Sequence, residues 1–266
     1  ELGADCLATG HYVQRQLLDG HACMRRGVDS QKDQSYFLFA TTPEQLDYLR
    51  FPLGEMTKDT TRELAMKYEL SVSEKPDSQD ICFVPNGRYG DVVRRLRPGS
   101  ITPGVIRHLD GRILGKHLGV IDYTIGQRRG LGIGGRKEDG EDNSPLYVVG
   151  IDADAHEVIV GPRASLACQD VYLEEVNWLI PTLMHNRDKN SKGIEVFVKL
   201  RNTAPAAPAK LFLMSDCSAH LILEQAEYGI ATGQAGVIYD ANDVSLMLGG
   251  GWITSAPKLT ESASSN

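Results

Sequence analysis

The chain has 266 residues, 41% hydrophobic and 24% charged, which is ample for a core and for more than one compact unit. No stretch is long and apolar enough to span a bilayer, and the opening ELGADCLATGHY lacks the basic-then-apolar pattern of a signal peptide. The net charge of −7 argues against general duplex binding, yet RRLR at 94–97 and GQRRG at 126–130 are local basic clusters that suit a selective partner.

In chain order, residues 1–90 read as α/β. DCLATGHYVQ is a short apolar run ending in Gly10, and a βα-type loop is expected to follow, where small residues let a ligand approach the backbone. TPEQLDYL carries helix-start chemistry: Thr42 as N-cap, Pro43 at the first helical position and Gln45 closing a capping box. TKDTTRELAMKYEL predicts a second helix with Leu64, Ala65 and Tyr68 inward and Arg62, Glu63 and Lys67 outward.

Near residue 90 the pattern turns to strands. GVIRHLDGRILG predicts a hairpin with a type I′ turn at Asp110-Gly111. PLYVVGIDADAHEVIVGP predicts a hairpin with a longer turn, and the glycine-rich, charged stretch between the two predicts a mobile loop. In GIEVFVKLR, Ile194, Val196, Val198 and Leu200 alternate onto one face. AKLFLM, GQAGVIYD and SLMLGGGWI follow as strands, and LTESASSN is a polar tail. The expected domains are 1–90, 91–166 and 167–256, with a tail at 257–266. The two β modules are expected to be barrels.

Cys6, Cys23, Cys82, Cys168 and Cys217 are scattered and form no CxxC pair, which argues against a disulfide framework or structural zinc and fits a reducing cytoplasm. Cys82 lies in KPDSQDICFVP between acidic residues and an apolar run. A buried packing thiol is the ordinary fate of such a residue. Asp77 and Asp80 would disfavour its thiolate unless a cation such as Lys75 compensates.

ATGHY at 8–12, KDQSYFL at 32–38, FPLG at 51–54, DSQDICF at 77–83 and YTIGQRRGLGIGG at 123–135 occur together in this order. The set resembles the tRNA-specific 2-thiouridylases of the MnmA type, from residue 1 to about 255. That resemblance implies a partial Rossmann-like PP-loop nucleotide-hydrolase domain, a small central β domain and a C-terminal tRNA-binding β-barrel. It implies ATP-dependent transfer of persulfide sulfur to C2 of the wobble uridine, position 34, through an adenylated uridine. ATP, with Mg2+, would be the co-substrate, with no bound metal site. The implied partners are tRNA and a sulfur-relay persulfide donor, with no membrane.

Residue by residue, the resemblance assigns the persulfide to Cys82 and ATP contact to Gly10. It assigns tRNA contact to His11, Lys32, Asp33, Gln34, Arg201, Asn202 and Gln234. Asn202 stands where the family has an aromatic, so a stacking contact is lost there. Each polar residue of this set would otherwise be read as an ordinary surface group. GLGIGG is followed by RKEDGEDNSP rather than a helix, which disfavours a dinucleotide loop, while Arg128 and Arg129 suit RNA phosphates.

The family's SGGxDS pyrophosphate loop and its second catalytic cysteine have no counterpart in the sequence. Cys6 lacks the flanking pattern of that cysteine. The chain therefore reads as the family's C-terminal two-thirds, expected to be inactive alone. Two other readings remain: a noncatalytic RNA-binding β-barrel with a structural cysteine, and a thiol peroxidase or transferase on small molecules. The second lacks a base or resolving cysteine near Cys82.

Overall fold

A computed structural model describes residues 3–71, 102–133, 145–180, 192–215 and 217–259. Cys82, Lys75, Asp77, Asp80 and the RRLR cluster lie outside the described residues. The chain divides into two compact units. One comprises 1–75, 169–226 and 231–257; the other comprises 76–168, 227–230 and 258–266.

In the first segment, β1 (Leu7–Ala8) pairs in parallel with β4 (Leu49–Arg50), and β2 (Val13–Leu18) forms a hairpin with β3 (His21–Arg26). The hairpin replaces the βα-type loop expected after Gly10. Its cause is local: Asp19 and Gly20 both have positive φ (49° and 83°) and join the paired residues Leu18 and His21, the geometry of a type I′ turn. Helix α1 (Pro43–Tyr48) starts as predicted. Thr42 accepts from the Gln45 backbone N–H, and the Gln45 side chain accepts from the Thr42 N–H. Helix α2 (Lys58–Lys67) also forms, with Thr57 as its cap. Leu64 and Ala65 are half-buried, but Tyr68 is 66% exposed rather than inward. It sits at the C-cap, where the backbone has left the helix and the 3.6-residue period no longer aims the side chain.

In the second unit, β5 (Gly104–His108), β6 (Ile113–His117), β7 (Leu146–Asp152) and β8 (Glu157–Pro162) form a four-stranded sheet in the order β6-β5-β8-β7. A barrel was expected here, and the described part of it is this four-stranded sheet. The β5–β6 turn is not type I′, because only Gly111 of the Asp110-Gly111 pair has positive φ (93°). Instead the Gly111 N–H donates to the His108 carbonyl at 2.8 Å, and the strands rejoin one residue later with a bulge beside Arg107. The β7–β8 hairpin has its longer turn, with the Asp152 carboxylate accepting from the N–H groups of Asp154 and Ala155. Ile106, Val148, Val158 and Val160 are fully buried between the strands and Leu131.

The last strands are β9 (Ala167–Trp178), β10 (Ile194–Lys199), β11 (Ala207–Ser215), β12 (Ser218–Tyr228), β13 (Ala235–Asp240) and β14 (Met247–Ser255). They close into a barrel in the order β10-β11-β12-β9-β14-β13. Val196, Val198 and Leu200 are buried as the alternation in GIEVFVKLR predicts. Val198, Leu211, Leu221 and Ile238 are wholly inaccessible, and burying each such side chain stabilises the fold by roughly 1.5–3 kcal/mol.

The outer face of β10, β13 and β14 is also covered. The 3-10 turn Ser35–Leu38 and Phe39 dock on it, joining the first segment to the barrel within one unit. Tyr36, Phe39, Val237, Tyr239 and Met247 share this second core with Val13, Met24 and Leu46 of the first segment. Close approach requires Gly250, since a Cβ there would stand 2.9 Å from the Phe39 Cβ.

Candidate nucleic-acid interface

The docked segment is the KDQSYFLF stretch, and its polar residues organise it. The Asp33 carboxylate accepts from the Gly27 N–H (3.2 Å), the Ser35 N–H (3.0 Å) and the Ser35 hydroxyl (3.0 Å). Gln34 Oε1 accepts from the Tyr12 N–H at 2.8 Å, and the Gln34 N–H donates to the Tyr12 carbonyl at 3.1 Å. Asp33 and Gln34 thus use side-chain acceptors to fix the segment. Lys32 is half-buried, and its N–H donates to the Asp29 carbonyl at 3.0 Å.

Behind this frame lies a polar joint with the barrel wall. The Ser35 hydroxyl is 2.8 Å from the Tyr239 hydroxyl, and the Tyr36 hydroxyl donates to the Ala235 carbonyl at 3.1 Å. Burial pushes the Tyr239 phenol up to about 12, and burial raises that of Tyr36 as well.

Cations gather along the same joint. The Arg26 guanidinium lies 4.0 Å over the Tyr239 ring, with its Nε 3.8 Å from Asp33. Lys199 Nζ lies 5.8 Å from the centre of the Tyr36 ring. Burial lowers the Lys199 pKa; Asp33 works against this shift and Arg26 adds to it. The Tyr36 phenol also feels the Arg201 charge. Arg26 and Lys199 were not singled out from the sequence. A signal existed for Lys199 in the alternation of β10, which places Phe197 and Lys199 on the face opposite its buried valines.

Strand register assembles the remaining predicted residues. Lys199 pairs with Val237 and Phe197 with Tyr239. Arg201 and Asn202 lie in the turn that follows β10, and Gln234 lies in the turn that precedes β13. On the other side, Ala235 pairs with Trp252. Arg201 and Gln234 are half-buried and Asn202 is exposed. Gln234 accepts the Ile253 N–H through its carbonyl at 2.8 Å, while its buried side-chain Oε1 makes no hydrogen bond within the protein.

Gly10 and His11 lie on the loop between β1 and β2. Gly10 is exposed, and a Cβ there would meet only Leu53 Cδ1, at 3.7 Å. The fold itself therefore does not demand a glycine. The His11 ring is held by the Thr9 hydroxyl at 2.7 Å.

In the other unit, the YTIGQRRG turn is pinned rather than loose. The Gly126 N–H donates to Val148, the Val148 N–H donates to Gln127, and the Gln127 side chain spans the N–H of Thr124 and the carbonyl of Arg129. Arg128 and Arg129 stay exposed on it. The rest of the loop expected to be mobile, residues 134–144, lies outside the described residues.

Models of known families match three consecutive parts of the chain. A tRNA methyl transferase HUP domain matches residues 1–86, a tRNA methyl transferase PRC-barrel domain matches 91–162, and an aminomethyltransferase beta-barrel domain matches 168–253. Similar proteins include the tRNA-specific 2-thiouridylase MnmA of three bacteria. That of Rhodospirillum centenum is 54% identical over 96% of this chain and 63% of its own length. That of Ruegeria sp. is 53% identical over 95% of this chain and 64% of its own length. That of Maricaulis maris is 52% identical over 96% and 60%. The chain thus spans less than two thirds of the length of these relatives.

Proposed function

Because this chain belongs to the family of MnmA-type tRNA-specific 2-thiouridylases, we propose that it serves in thiolating C2 of the wobble uridine, position 34, of tRNA. The observation that carries this reading is the unbroken run of similarity, three family models in series and relatives above 50% identity across 95% of the chain. The domains proposed are a PP-loop catalytic remainder at 1–90, a central β domain at 91–166 and a tRNA-binding barrel at 167–256.

In this reading ATP, with Mg2+ on its phosphates, adenylates the uridine C2 oxygen and makes AMP the leaving group. A donor protein of the sulfur-relay class loads Cys82 with a terminal sulfur. That sulfur attacks C2 and AMP departs, leaving a Cys82–S–S–C2 adduct. A second thiol, supplied from outside this chain, attacks the Cys82 sulfur and releases 2-thiouridine. The disulfide this leaves on Cys82 is reduced by an external dithiol. A persulfide is more acidic than a thiol, so it is the competent nucleophile near neutral pH. Gly10 would let the nucleotide approach the backbone, which agrees with a glycine that packing does not require. His11, Lys32, Arg201, Asn202 and Gln234 would face tRNA, and Asp33 and Gln34 would hold the segment that presents Lys32. Arg26 and Lys199 join this surface as phosphate contacts. No helix among the described residues is long and apolar enough to cross a membrane, and the cytoplasm is the proposed site of action, where tRNA and ATP meet.

The test is Cys82→Ser in protein otherwise competent for thiolation. The expected result is loss of 2-thiouridine formation with tRNA affinity within about twofold. Undiminished sulfur transfer would overturn the catalytic role. Loss of both activities would mark Cys82 as structural and favour a noncatalytic RNA-binding barrel.

A further inference from the structure

We propose that Trp252 is a stacking platform for an unpaired RNA base, set beside a phosphate contact at Arg201. This deepens the tRNA reading above and rests on it. Trp252 is 42% exposed, although a tryptophan offers more apolar area for burial than any other side chain. Its ring is nonetheless fixed. It meets Phe39 edge to face, with centroids 5.0 Å apart and planes at 86°, and Phe39 is itself buried. A held, open indole loses little entropy on binding a base.

The surroundings suit a single strand of RNA. Trp252 pairs with Ala235, the Ala235 carbonyl accepts from the Tyr36 hydroxyl, and the Arg201 charge is felt at that hydroxyl. Cross-strand partners point to the same face, so Ala235 and Trp252 share the outer face of the barrel, with Arg201 at its β10 side. Ala235 is buried beneath the docked segment, so Trp252 stands at the open edge of the covered face. Asn202, in the turn that follows β10, is exposed and offers its amide to a base edge. On the far side, Trp252 pairs with Glu174, which is exposed. That carboxylate repels phosphate, so the strand's backbone must run on the Arg201 side. A held, open ring with a cation nearby is the stacking-plus-phosphate combination that binds unpaired RNA.

The experiment titrates the full chain with an RNA stem–loop and, separately, with a blunt duplex of the same stem. Binding is read by anisotropy across a salt series, and indole fluorescence is read in a Trp178→Phe background, where Trp252 is the remaining tryptophan. The expected result is saturable quenching by the stem–loop and little by the duplex. Trp252→Leu, which keeps an apolar cover on Phe39, should weaken stem–loop binding by about 5- to 100-fold without changing the salt slope. Glu174→Gln should tighten it. Stem–loop binding within twofold of the parent in Trp252→Leu, or a parent that binds without quenching, overturns the stacking role and leaves the tRNA reading standing. A parent that binds neither RNA overturns both. If Trp252→Leu does not fold, quenching in the parent and retention of binding by Trp252→Phe decide the matter: their presence supports stacking and their absence overturns it.

Discussion

The Ser35 and Tyr239 hydroxyls are 2.8 Å apart, although 204 residues separate them in the chain. Both residues are fully buried, and the contact joins the KDQSYFLF segment to the barrel wall. Removing one partner strands the other hydroxyl away from water. Ser35→Ala should therefore destabilise the fold by about 1–3 kcal/mol. Tyr239→Phe removes the other hydroxyl, and the double variant should cost less than the sum of the two, as measured by urea unfolding. Strict additivity would show that the two hydroxyls are not coupled.

The same joint predicts an alkaline limit. The Tyr239 phenol is held up to about 12, above the ordinary value of 10. The unfolded chain releases this proton first, so the folded state's advantage is complete below pH 10. It is lost as pH rises from 10 to about 12, on the order of 2–3 kcal/mol. Unfolding free energies measured across that window should fall more steeply in the parent than in Tyr239→Phe. Equal slopes would contradict this.

Two glycines separate packing from ligand approach. Gly250→Ala places a methyl 2.9 Å from the Phe39 Cβ and should lower stability by about 1–3 kcal/mol. Gly10→Ala meets only the end of Leu53 and should leave stability within about 0.5 kcal/mol. Its expected effect is on ATP affinity, measured by titration with the full protein. Unchanged ATP binding in Gly10→Ala would remove Gly10 from the nucleotide site.

Local signals read from the sequence were reliable where one element decides its own geometry. The Thr42–Gln45 capping box and the alternation of Ile194, Val196, Val198 and Leu200 formed as expected. Turn chemistry was legible only in part. Asp19-Gly20 makes the type I′ turn and Asp110-Gly111 does not, because register and a bulge beside Arg107 choose between otherwise similar dipeptides. Docking of residues 35–39 onto the barrel is a contact across most of the chain, beyond any periodicity. Its one trace is in β13, where Ala235 to Tyr239 are all buried and apolar or glycine, a run that signals cover on both faces. Docking brings Lys199 into the field of Asp33 and sets Arg26 over the Tyr239 ring, contacts that no local pattern carries. Cys82 was legible through its motif, and its surroundings lie outside the described residues.

The most direct test of a single RNA-binding edge built by that docking is the salt dependence of tRNA binding. The variant Arg26→Gln/Lys199→Gln/Arg201→Gln should bind tRNA more weakly at every salt concentration. The slope of log K against log salt should shrink by about 0.7–0.9 for each phosphate contact removed. An unchanged slope and affinity, in a variant that melts like the parent, would contradict the account.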